Sequence, residues 1–404
     1  MRILFSYTDW KGYSGGPLVN AVRLLPKLAQ IGHEVHALVR YKGSPSTREF
    51  MESNDVIFHS YKAHTYSEEE LIDILKIVEK VQPDIYVPNI NTTGCFASYW
   101  LHQSGIPTIN AHRSDDALNW NKALYFSDKQ NRFHTSVCVC VSDWLKTELS
   151  SRVKYPIPMS VIPSGVPLTN HKSSFNSKKR SIVYSGRFED KQKNVSEILE
   201  IFIQLIQDNV IQSAALIGSG SLNKALIARI GQTNLHSKIK IIKKLDGDEY
   251  KKELAKHQFF LLNSTYEGTP GSLMDAMSCG LIPIAKRYNG ISNLVAHGET
   301  GMIFDNKNEI SQFINLITMD SEFKKLSLSA INCVEKNYSI ENTAKLWDEL
   351  FTSLKTRVKS SRFVIPSSIS LPKFLPKLTE FNPRLSQFER GVNKLRLALK
   401  KWLD

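Results

Sequence analysis

The chain has 404 residues, 42% of them apolar, and carries a formal net charge of +13. This length favours two domains of about 150–200 residues each, and no run reaches the roughly 18 apolar residues of a membrane-spanning helix. Polar residues directly after positions 3–5 argue against a signal peptide, and the five cysteines follow no metal or disulfide spacing, so we expect a protein of the reducing cytoplasm.

Strand and helix signals alternate through the first part of the chain. A predicted strand at residues 2–6 is followed by a Gly-rich loop that contains Gly15 and Gly16. Glycines there let a backbone approach a phosphate, because they lack a Cβ, although a plain loop explains them equally well. A helix follows, with one apolar face formed by Val22, Leu25, Leu28 and Ala29. Further strands are predicted at 34–39, 84–87, 108–111 and 137–141, and this alternation is typical of a parallel, doubly wound sheet.

A Pro-rich connection at residues 155–167 separates this series from a second one. The strands of the second series are predicted at 181–185, 214–217, 239–242, 259–262 and 281–285. We therefore predict two similar α/β domains, at 1–168 and 169–337, that face a cleft. A closing helix at 338–354 is expected to pack back on the first domain.

Polar residues at the predicted carboxyl ends of the strands are the candidate ligand contacts, since open parallel sheets bind ligands there. Arg187 and Lys193 follow the first strand of the second domain and suit a diphosphate, though solvated surface cations are the simpler interpretation. The Gly218-Ser219-Gly220 turn is explained as well by tight backbone geometry. His112, after the strand at 108–111, is either structural or directed into a cleft.

Residues 267–275 form the most specific segment. Glu267 and Asp275 lie on either side of a Gly/Pro turn that follows a buried strand, and Asp275 falls in the first turns of a predicted helix. A helix start offers free backbone N–H groups and a positive dipole end to an anion. A loop acid beside a helix-stabilising Asp is the alternative. With a carboxylate to hold hydroxyls nearby, the segment indicates a sugar-nucleotide site.

Taken in order, these motifs resemble those of the retaining GT-B glycosyltransferases of family 4, also called glycosyl transferases group 1. The matching segments are 15–16, 32–35, 141–142, 161–166, 185–188, 193–194, 217–220, 266–268, 276–283, 290–291 and 298–301. The resemblance extends from residue 1 to about 354. It implies two Rossmann-like domains, with a UDP- or GDP-sugar donor held mainly by the second.

The resemblance also implies residue roles in the donor site. Arg187 and Lys193 would neutralise the donor diphosphate in place of a metal ion, and Glu267 would contact hydroxyls of the donor sugar. Asp275 would hold the ribose, although the family usually has Glu there. The remaining contacts would come from backbone amides at Gly271, Ser272 and Leu273, from Gly15 and Gly16 near the diphosphate, and from His112 reaching the transferred sugar. Asn293 replaces a commonly acidic residue.

The implied activity is transfer of a hexose-type sugar, with retention, to a saccharide or polyprenyl-linked acceptor in bacterial polysaccharide or O-antigen assembly. Catalysis would rest on electrostatic stabilisation of the departing diphosphate, because no residue is an obvious base for the acceptor. A non-catalytic GT-B subunit that anchors or activates a partner transferase is one alternative. A sugar-nucleotide epimerase is another, which the order of the motifs disfavours.

Beyond residue 354 the chain is basic, with 12 Lys or Arg against 3 Asp or Glu. Within residues 384–403 apolar side chains recur at helical spacing, flanked by cations: Leu385, Phe388, Val392, Leu395, Leu399 and Trp402. A basic amphipathic helix is typical of peripheral binding to an anionic membrane, here the inner face of the cell membrane. Packing on the first domain is the alternative. No nucleic-acid reader motif accompanies these cations.

Overall fold

The structure is a computed structural model that describes residues 1–9, 15–354, 362–373, 375, 378, 381–386, 389 and 392. Two compact units make up the chain. The first comprises Met1–Val141, Leu145–Ile162 and the chain from Ala344 onward, and the second comprises Ser142–Trp144 and Pro163–Thr343. The change of unit therefore falls near residue 162, a few residues before the boundary predicted from the sequence.

The first unit contains a seven-stranded parallel sheet in the order β3-β2-β1-β4-β5-β6-β7. Its strands are β1 Arg2–Thr8, β2 Glu34–Arg40, β3 Val56–Tyr61, β4 Ile85–Asn89, β5 Thr108–His112, β6 Val137–Cys140 and β7 Met159–Val161. The helices are α1 Gly16–Gln30, α2 Pro45–Glu52, α3 Ser67–Val81, α4 Thr92–Phe96, α5 Ser98–Gln103, α6 Ala117–Phe126 and α7 Asp143–Arg152. Buried strands alternate with helices, as the doubly wound prediction requires.

The second unit contains a six-stranded parallel sheet in the order β10-β9-β8-β11-β12-β13. Its strands are β8 Ser181–Arg187, β9 Ser213–Ser219, β10 Ile239–Ile242, β11 Phe259–Leu262, β12 Ile282–Lys286 and β13 Met302–Phe304. The helices are α8 Val195–Gln207, α9 Asn223–Gly231, α10 Gly247–Leu254, α11 Gly271–Ser278, α12 Asn308–Leu316 and α13 Asp320–Asn337. The last helix of the chain, α14, spans Ile340–Leu354.

The sequence did not predict β3, β7 or β13, and all three are edge strands. An edge strand has one neighbour and need not be buried on both faces, so β3 lacks the continuous apolar run of a central strand, whereas β7 and β13 have only three residues each and are too short to stand out in the sequence. In β3, for example, Ile57 is exposed. The apolar face predicted for α1 is also shifted. Val22 and Ala29 are only partly buried, and the core-facing stripe is Leu18, Ala21, Leu24, Leu25 and Leu28.

Helix α14 belongs largely to the first unit. Trp347 packs edge-on against Phe5 of β1, with ring centroids 6.0 Å apart. Oδ1 of Asp348 lies 2.9 Å from Nε2 of His33, within hydrogen-bonding distance. The chain thus returns to the first sheet after it has built the second.

The described residues between 362 and 386 continue on the first unit, and we call them the C-terminal strap. Four apolar strap residues are buried in the core that α3 and α5 also line: Phe363, Leu371, Leu378 and Phe381. Gln82, at the end of α3, both donates to and accepts from the backbone of Phe363, at 2.8 and 3.0 Å. For this part of the chain, packing on the first domain, the alternative left open by the sequence, is what the structure shows. Prolines lie between these four side chains and exclude a continuous helix, so their spacing in the sequence did not indicate burial.

Most of the predicted amphipathic helix at 384–403 lies outside the described residues. Arg384 is described, and its guanidinium pairs with Glu69 of α3. Among the helices that the structure describes, none combines the length and the apolar character needed to cross a membrane.

Candidate functional site

Strands β8 and β11 are neighbours in the second sheet, and the polar residues that follow them meet at its carboxyl edge. Arg187 ends β8, Lys193 precedes α8, and Glu267 follows β11. The ammonium of Lys193 donates to Oε1 of Glu267 in an ion pair whose side chains are only 14% and 9% exposed. Residues 74 positions apart in the sequence thereby share one polar site.

Gln192 joins the remaining members of this site. Its amide Nε2 donates to the carbonyl oxygen of Tyr266 at 2.9 Å and to Oε2 of Glu267 at 3.4 Å. Its amide oxygen accepts a hydrogen bond from Nη2 of Arg187 at 2.8 Å. Sequence reasoning missed Gln192, since a glutamine beside a lysine in a polar loop carries no signal of its own. Arg187, Gln192, Glu267 and Lys193 form what we call the cation–carboxylate chain.

The loop before α8 is fixed to the segment that follows β11. Asn194 adopts a left-handed backbone conformation, with φ of 51°, and its amide donates to the carbonyl of Asn263 at 2.8 Å. The amide of Thr265 donates to the carbonyl of Gln192 at 2.8 Å. These bonds hold Lys193 and Glu267 in place before any ligand arrives, which lowers the cost of binding.

Two glycines set the shape of this edge. A Cβ on Gly218 would lie 2.0 Å from the carbonyl oxygen of Gly186, and one on Gly220 would lie 2.3 Å from that of Phe188. The end of β9 therefore packs directly on the backbone that carries Arg187. This backbone contact explains the Gly218-Ser219-Gly220 turn without a bound phosphate.

The N-terminus of α11 starts at the same edge. Pro270 is the N-cap residue, and no side chain caps the helix. The amides of Gly271 and Ser272 begin the helix and have no acceptor within it. The amide of Leu273 donates to the carbonyl of Pro270 at 3.1 Å, and its side chain is buried in the core. Two backbone donors and the positive end of the helix dipole are thus available to an anion.

Asp275 lies on the buried side of α11 and has a partner that the sequence did not indicate. Nζ of Lys251, on α10, donates to Oδ1 of Asp275 at 2.6 Å and to Oγ of Ser278 at 2.9 Å. Both side chains of the ion pair are less than a tenth exposed. The carboxylate predicted to hold a ribose is therefore also one half of a buried ion pair.

His112 belongs to the first unit, where it is the last residue of β5 and is fully buried. Within the described chain, neither ring nitrogen has a hydrogen-bond partner. The ring packs edge-on against Trp120, with centroids 4.4 Å apart. Burial, assisted by the cations Lys122 and Arg152, lowers the pKa of His112 to about 3. A ring in this environment is neutral at physiological pH.

Gly15 and Gly16 start α1. Gly15 is the N-cap residue and its carbonyl accepts from the amides of Leu18 and Val19. A Cβ on Gly16 would meet no atom within 4 Å, so packing among the described residues does not require glycine there. The five residues before Gly15 lie outside the described chain. Across the described residues there is no group of three or more His, Cys, Asp or Glu side chains that could hold a metal ion.

Residues 168–326 match the family described as glycosyl transferases group 1, and residues 14–170 match glycosyltransferase family 4. An Escherichia coli UDP-Gal:alpha-D-GlcNAc-diphosphoundecaprenol alpha-1,3-galactosyltransferase is 25% identical over 302 residues, covering 69% of this chain and 77% of the relative. A Campylobacter jejuni N-acetylgalactosaminyltransferase, which acts on a diphospho-undecaprenol-linked saccharide by its name, is 29% identical over 37% of this chain and 40% of its own.

Two solved structures share the fold at low sequence identity. Anabaena HepE in complex with UDP and glucose has a TM-score of 0.70 and 16% identity, covering 87% of this chain and all of its own. The lipopolysaccharide outer core galactosyltransferase WaaB, in its apo form, has a TM-score of 0.64 and 15% identity, covering 87% of this chain and 99% of its own. Both units of the chain are thus found together in known proteins.

Proposed function

The chain belongs to the group 1 glycosyl transferases, with the GT-B fold, and we propose that it moves a hexose-type sugar from a UDP- or GDP-sugar to a saccharide or lipid-linked acceptor with retention of configuration. That it is a glycosyltransferase follows from its family. The lipid-linked acceptor is supported by two relatives, from Escherichia coli and Campylobacter jejuni. The name of each mentions a saccharide linked to diphosphoundecaprenol. Cell-surface polysaccharide assembly is the process that uses such acceptors.

The observation that carries the proposal is the cation–carboxylate chain beside the start of α11. Lys193 and Arg187 supply positive charge, Glu267 supplies hydroxyl acceptors, and the amides of Gly271 and Ser272 point to the same edge of the sheet. A nucleotide-diphosphate sugar needs this set of groups, because its diphosphate is anionic and its sugar carries hydroxyls. We expect Asp275 to contact the ribose through the side of its carboxylate away from Lys251.

In the proposed reaction the bond between the anomeric carbon and the diphosphate oxygen breaks as the acceptor hydroxyl attacks from the same face. Negative charge grows on the departing diphosphate, and Arg187 and Lys193 stabilise it, so no metal ion is required. The leaving phosphate oxygen takes the acceptor proton. His112 would contribute as a neutral hydrogen-bonding group to a sugar hydroxyl, in keeping with its low pKa.

A non-catalytic GT-B subunit is the less favoured function. Such a protein has no reason to keep an ordered donor site, whereas here Gln192 and the Lys193–Glu267 pair hold the site together. We also propose a cytoplasmic location, with peripheral attachment to the inner face of the membrane through residues 384–403.

The test of the function is a thermal-shift screen of the purified chain with UDP, GDP and their hexose conjugates, followed by transfer assays with EDTA present. A ligand at one hundred times its Kd stabilises the folded state by about 2.7 kcal/mol, which is readily measured. Proton NMR of the product then reports the anomeric configuration. An inverted product contradicts retention, activity abolished by EDTA contradicts metal independence, and no response to any nucleotide contradicts the donor site.

A further inference from the structure

Arg113, directly after β5 in the first unit, is a half-buried cation without a carboxylate partner among the described residues. Nε of its guanidinium donates to Oδ1 of Asn89 at 2.6 Å. That bond fixes the plane of the guanidinium, and among the described residues the two terminal nitrogens have no hydrogen-bond partner. Burial lowers the pKa of Arg113 to about 10.

Asn89 ties Arg113 to a second cation. Asn89 ends β4 with a left-handed φ of 57°, and its main-chain carbonyl accepts from Nζ of Lys122 at 3.1 Å. Nζ of Lys122 also donates to the carbonyl of Ala111 at 2.7 Å, and the side chain is almost fully buried. One asparagine thus holds two cations at the carboxyl ends of the adjacent strands β4 and β5.

The two carboxylates that follow Arg113 in sequence are engaged elsewhere. Oδ1 of Asp115 accepts from Nε1 of Trp120 at 2.6 Å. Asp116 caps α6 by accepting from the amide of Asn119 at 3.0 Å and from its side chain at 2.8 Å. Among the described residues, neither carboxylate pairs with Arg113.

We propose that Arg113, positioned by Asn89 and backed by the charge of Lys122, binds the phosphate groups of the acceptor substrate. The two terminal nitrogens of a guanidinium form parallel hydrogen bonds with a phosphate, and this bidentate geometry is one that a lysine does not provide. The unpartnered donor Nδ2 of Asn89 and the single ring N–H of the neutral His112 lie at the ends of the same two strands. A phosphate-bearing ligand matches this set of donors.

This inference rests on the proposed function, which places the donor diphosphate on Arg187, Lys193 and the start of α11 in the second unit. The separate cationic group in the first unit would then bind an anionic group of the other substrate, the acceptor. A diphosphate that links a saccharide to a prenyl chain has the required chemistry. A saccharide acceptor without phosphate does not, so the inference narrows the acceptor to a phosphate-linked one.

The experiment measures binding of geranyl diphosphate, geranyl monophosphate, geraniol and inorganic pyrophosphate by calorimetry. Excess UDP or GDP, whichever nucleotide stabilises the protein, is present throughout to fill the donor site. We expect the wild type to bind geranyl diphosphate and not geraniol, and Arg113→Gln to weaken that binding on the order of ten-fold or more. Arg48→Gln, which removes a surface arginine paired with Glu52 on α2, is the matched control and should bind as the wild type does.

Nucleotide binding distinguishes a failure of the proposed function from a failure of the Arg113 site alone. A wild type that binds neither UDP nor GDP contradicts the proposed function, whereas Arg113→Gln that binds both nucleotide and geranyl diphosphate normally overturns this inference alone. Pyrophosphate that binds as tightly as geranyl diphosphate overturns the assignment to a lipid-linked acceptor.

A second variant covers the case in which Arg113→Gln does not fold. Arg113→Lys keeps the charge and the aliphatic stem but loses the guanidinium fork. It should fold, bind nucleotide normally and bind geranyl diphosphate several-fold more weakly. Equal affinity in Arg113→Lys and the wild type refutes the bidentate contact.

Discussion

Lys251 and Asp275 form a buried ion pair, with 2.6 Å between Nζ and Oδ1, that joins α10 to α11 beneath the candidate donor site. Lys251 also donates to Oγ of Ser278, and that hydroxyl donates in turn to the carbonyl of Asp275 at 2.7 Å. Lys251 and Ser278 therefore hold the side chain of Asp275 in one orientation. Any contact that it makes with a nucleotide depends on Lys251.

We predict that Lys251→Met destabilises the protein and weakens donor binding. Removal of Lys251 takes the ion-pair partner from a buried carboxylate, and breaking a buried pair in this way costs about 3–5 kcal/mol in comparable cases. The remaining Asp275 is also expected to become protonated or to change rotamer, so KM for the donor should rise more than kcat falls. Chemical denaturation and steady-state kinetics measure the two effects.

Lys252→Met provides the control, because Lys252 is the next residue of α10 but its side chain is 59% exposed. It should change neither stability nor donor KM appreciably. If Lys251→Met lowered stability but left donor KM unchanged, the pair would be purely structural and Asp275 would not serve the nucleotide.

The second prediction concerns the Lys193–Glu267 pair. Glu267→Gln keeps the size and one hydrogen-bond acceptor but removes the charge, so nucleotide affinity should persist while kcat falls on the order of 100-fold, as for a lost transition-state contact. Lys193→Gln should lower both nucleotide affinity and kcat, because Lys193 is proposed to meet the diphosphate. Isothermal titration with UDP or GDP and a transfer assay separate the two effects.

A double variant tests whether the two residues act together. Contacting residues show non-additive effects, so Lys193→Gln combined with Glu267→Gln should lose less than the product of the two single losses. Lys224→Gln, an exposed lysine on α9, controls for loss of positive charge alone. Transfer at a near-normal rate in the folded double variant would show that the pair is not part of the site.

The two parallel α/β sheets followed from the alternation of apolar runs and amphipathic segments, whereas the order of strands within each sheet did not. The cation–carboxylate chain was only partly predictable. Arg187, Lys193 and Glu267 stand at motif positions, but Gln192 acts through side-chain geometry that depends on how β8 and β11 pair. In the sequence, Lys251 is one of several consecutive charged residues, followed by Lys252 and Glu253, and this pattern indicates an exposed helix. Its burial is decided by the packing of α10 against α11, which is a tertiary contact.

Burial of the C-terminal strap was not predicted either, because it also depends on tertiary contacts. Phe363, Leu371, Leu378 and Phe381 lie at helical spacing, but Pro366, Pro372 and Pro376 fall between them and exclude a continuous helix, so the spacing did not indicate burial. An extended segment that follows the surface of a domain is guided by the shape of that surface. Only the folded α3 and α5 define where its side chains fit.

The third prediction is a pH dependence of stability that arises from His112. The pKa of His112 is lowered by burial and by the cations Lys122 and Arg152, to about 3 in the folded protein, against about 6.5 in an unfolded chain. Below pH 6.5 the unfolded chain binds a proton that the folded protein does not. The stabilising contribution is thus complete above pH 6.5 and declines as the pH falls towards 3.

His112→Leu removes this titration while retaining an uncharged side chain of similar size. The variant should therefore lose less stability than the wild type between pH 7 and pH 4, and the difference in slope is at most about 1.4 kcal/mol per pH unit. Thermal or urea unfolding at a series of pH values measures it. His59, whose pKa burial lowers to about 4, should show the same sign in His59→Gln. Parallel pH profiles for wild type and His112→Leu would contradict the neutral, buried histidine.

The fourth prediction is that truncation after Leu354 destabilises the first unit. The truncation removes Phe363, Leu371, Leu378 and Phe381 from the core, where loss of one large apolar side chain costs about 2–5 kcal/mol. Four such losses compete with a total stability of roughly 5–15 kcal/mol. Truncation after Ser386 keeps all four and should unfold at the temperature of the full-length chain. Equal unfolding temperatures for both truncations would show that the strap contributes nothing.

Truncation after Ser386 is consequently the variant that tests membrane attachment. It removes the cations Arg390, Lys394, Arg396, Lys400 and Lys401 while it leaves the strap in place. Each Lys or Arg near an anionic surface contributes about 1 kcal/mol, and the attraction is screened by salt. In flotation with phosphatidylglycerol-containing vesicles, the full-length chain should float at low salt and the truncated chain should remain in the dense fraction. Vesicles of phosphatidylcholine alone should recruit neither protein, because they lack the negative surface. Flotation of the truncated chain to the same extent as the full-length chain would assign membrane binding to another surface, and failure of both to float would remove it from the function altogether.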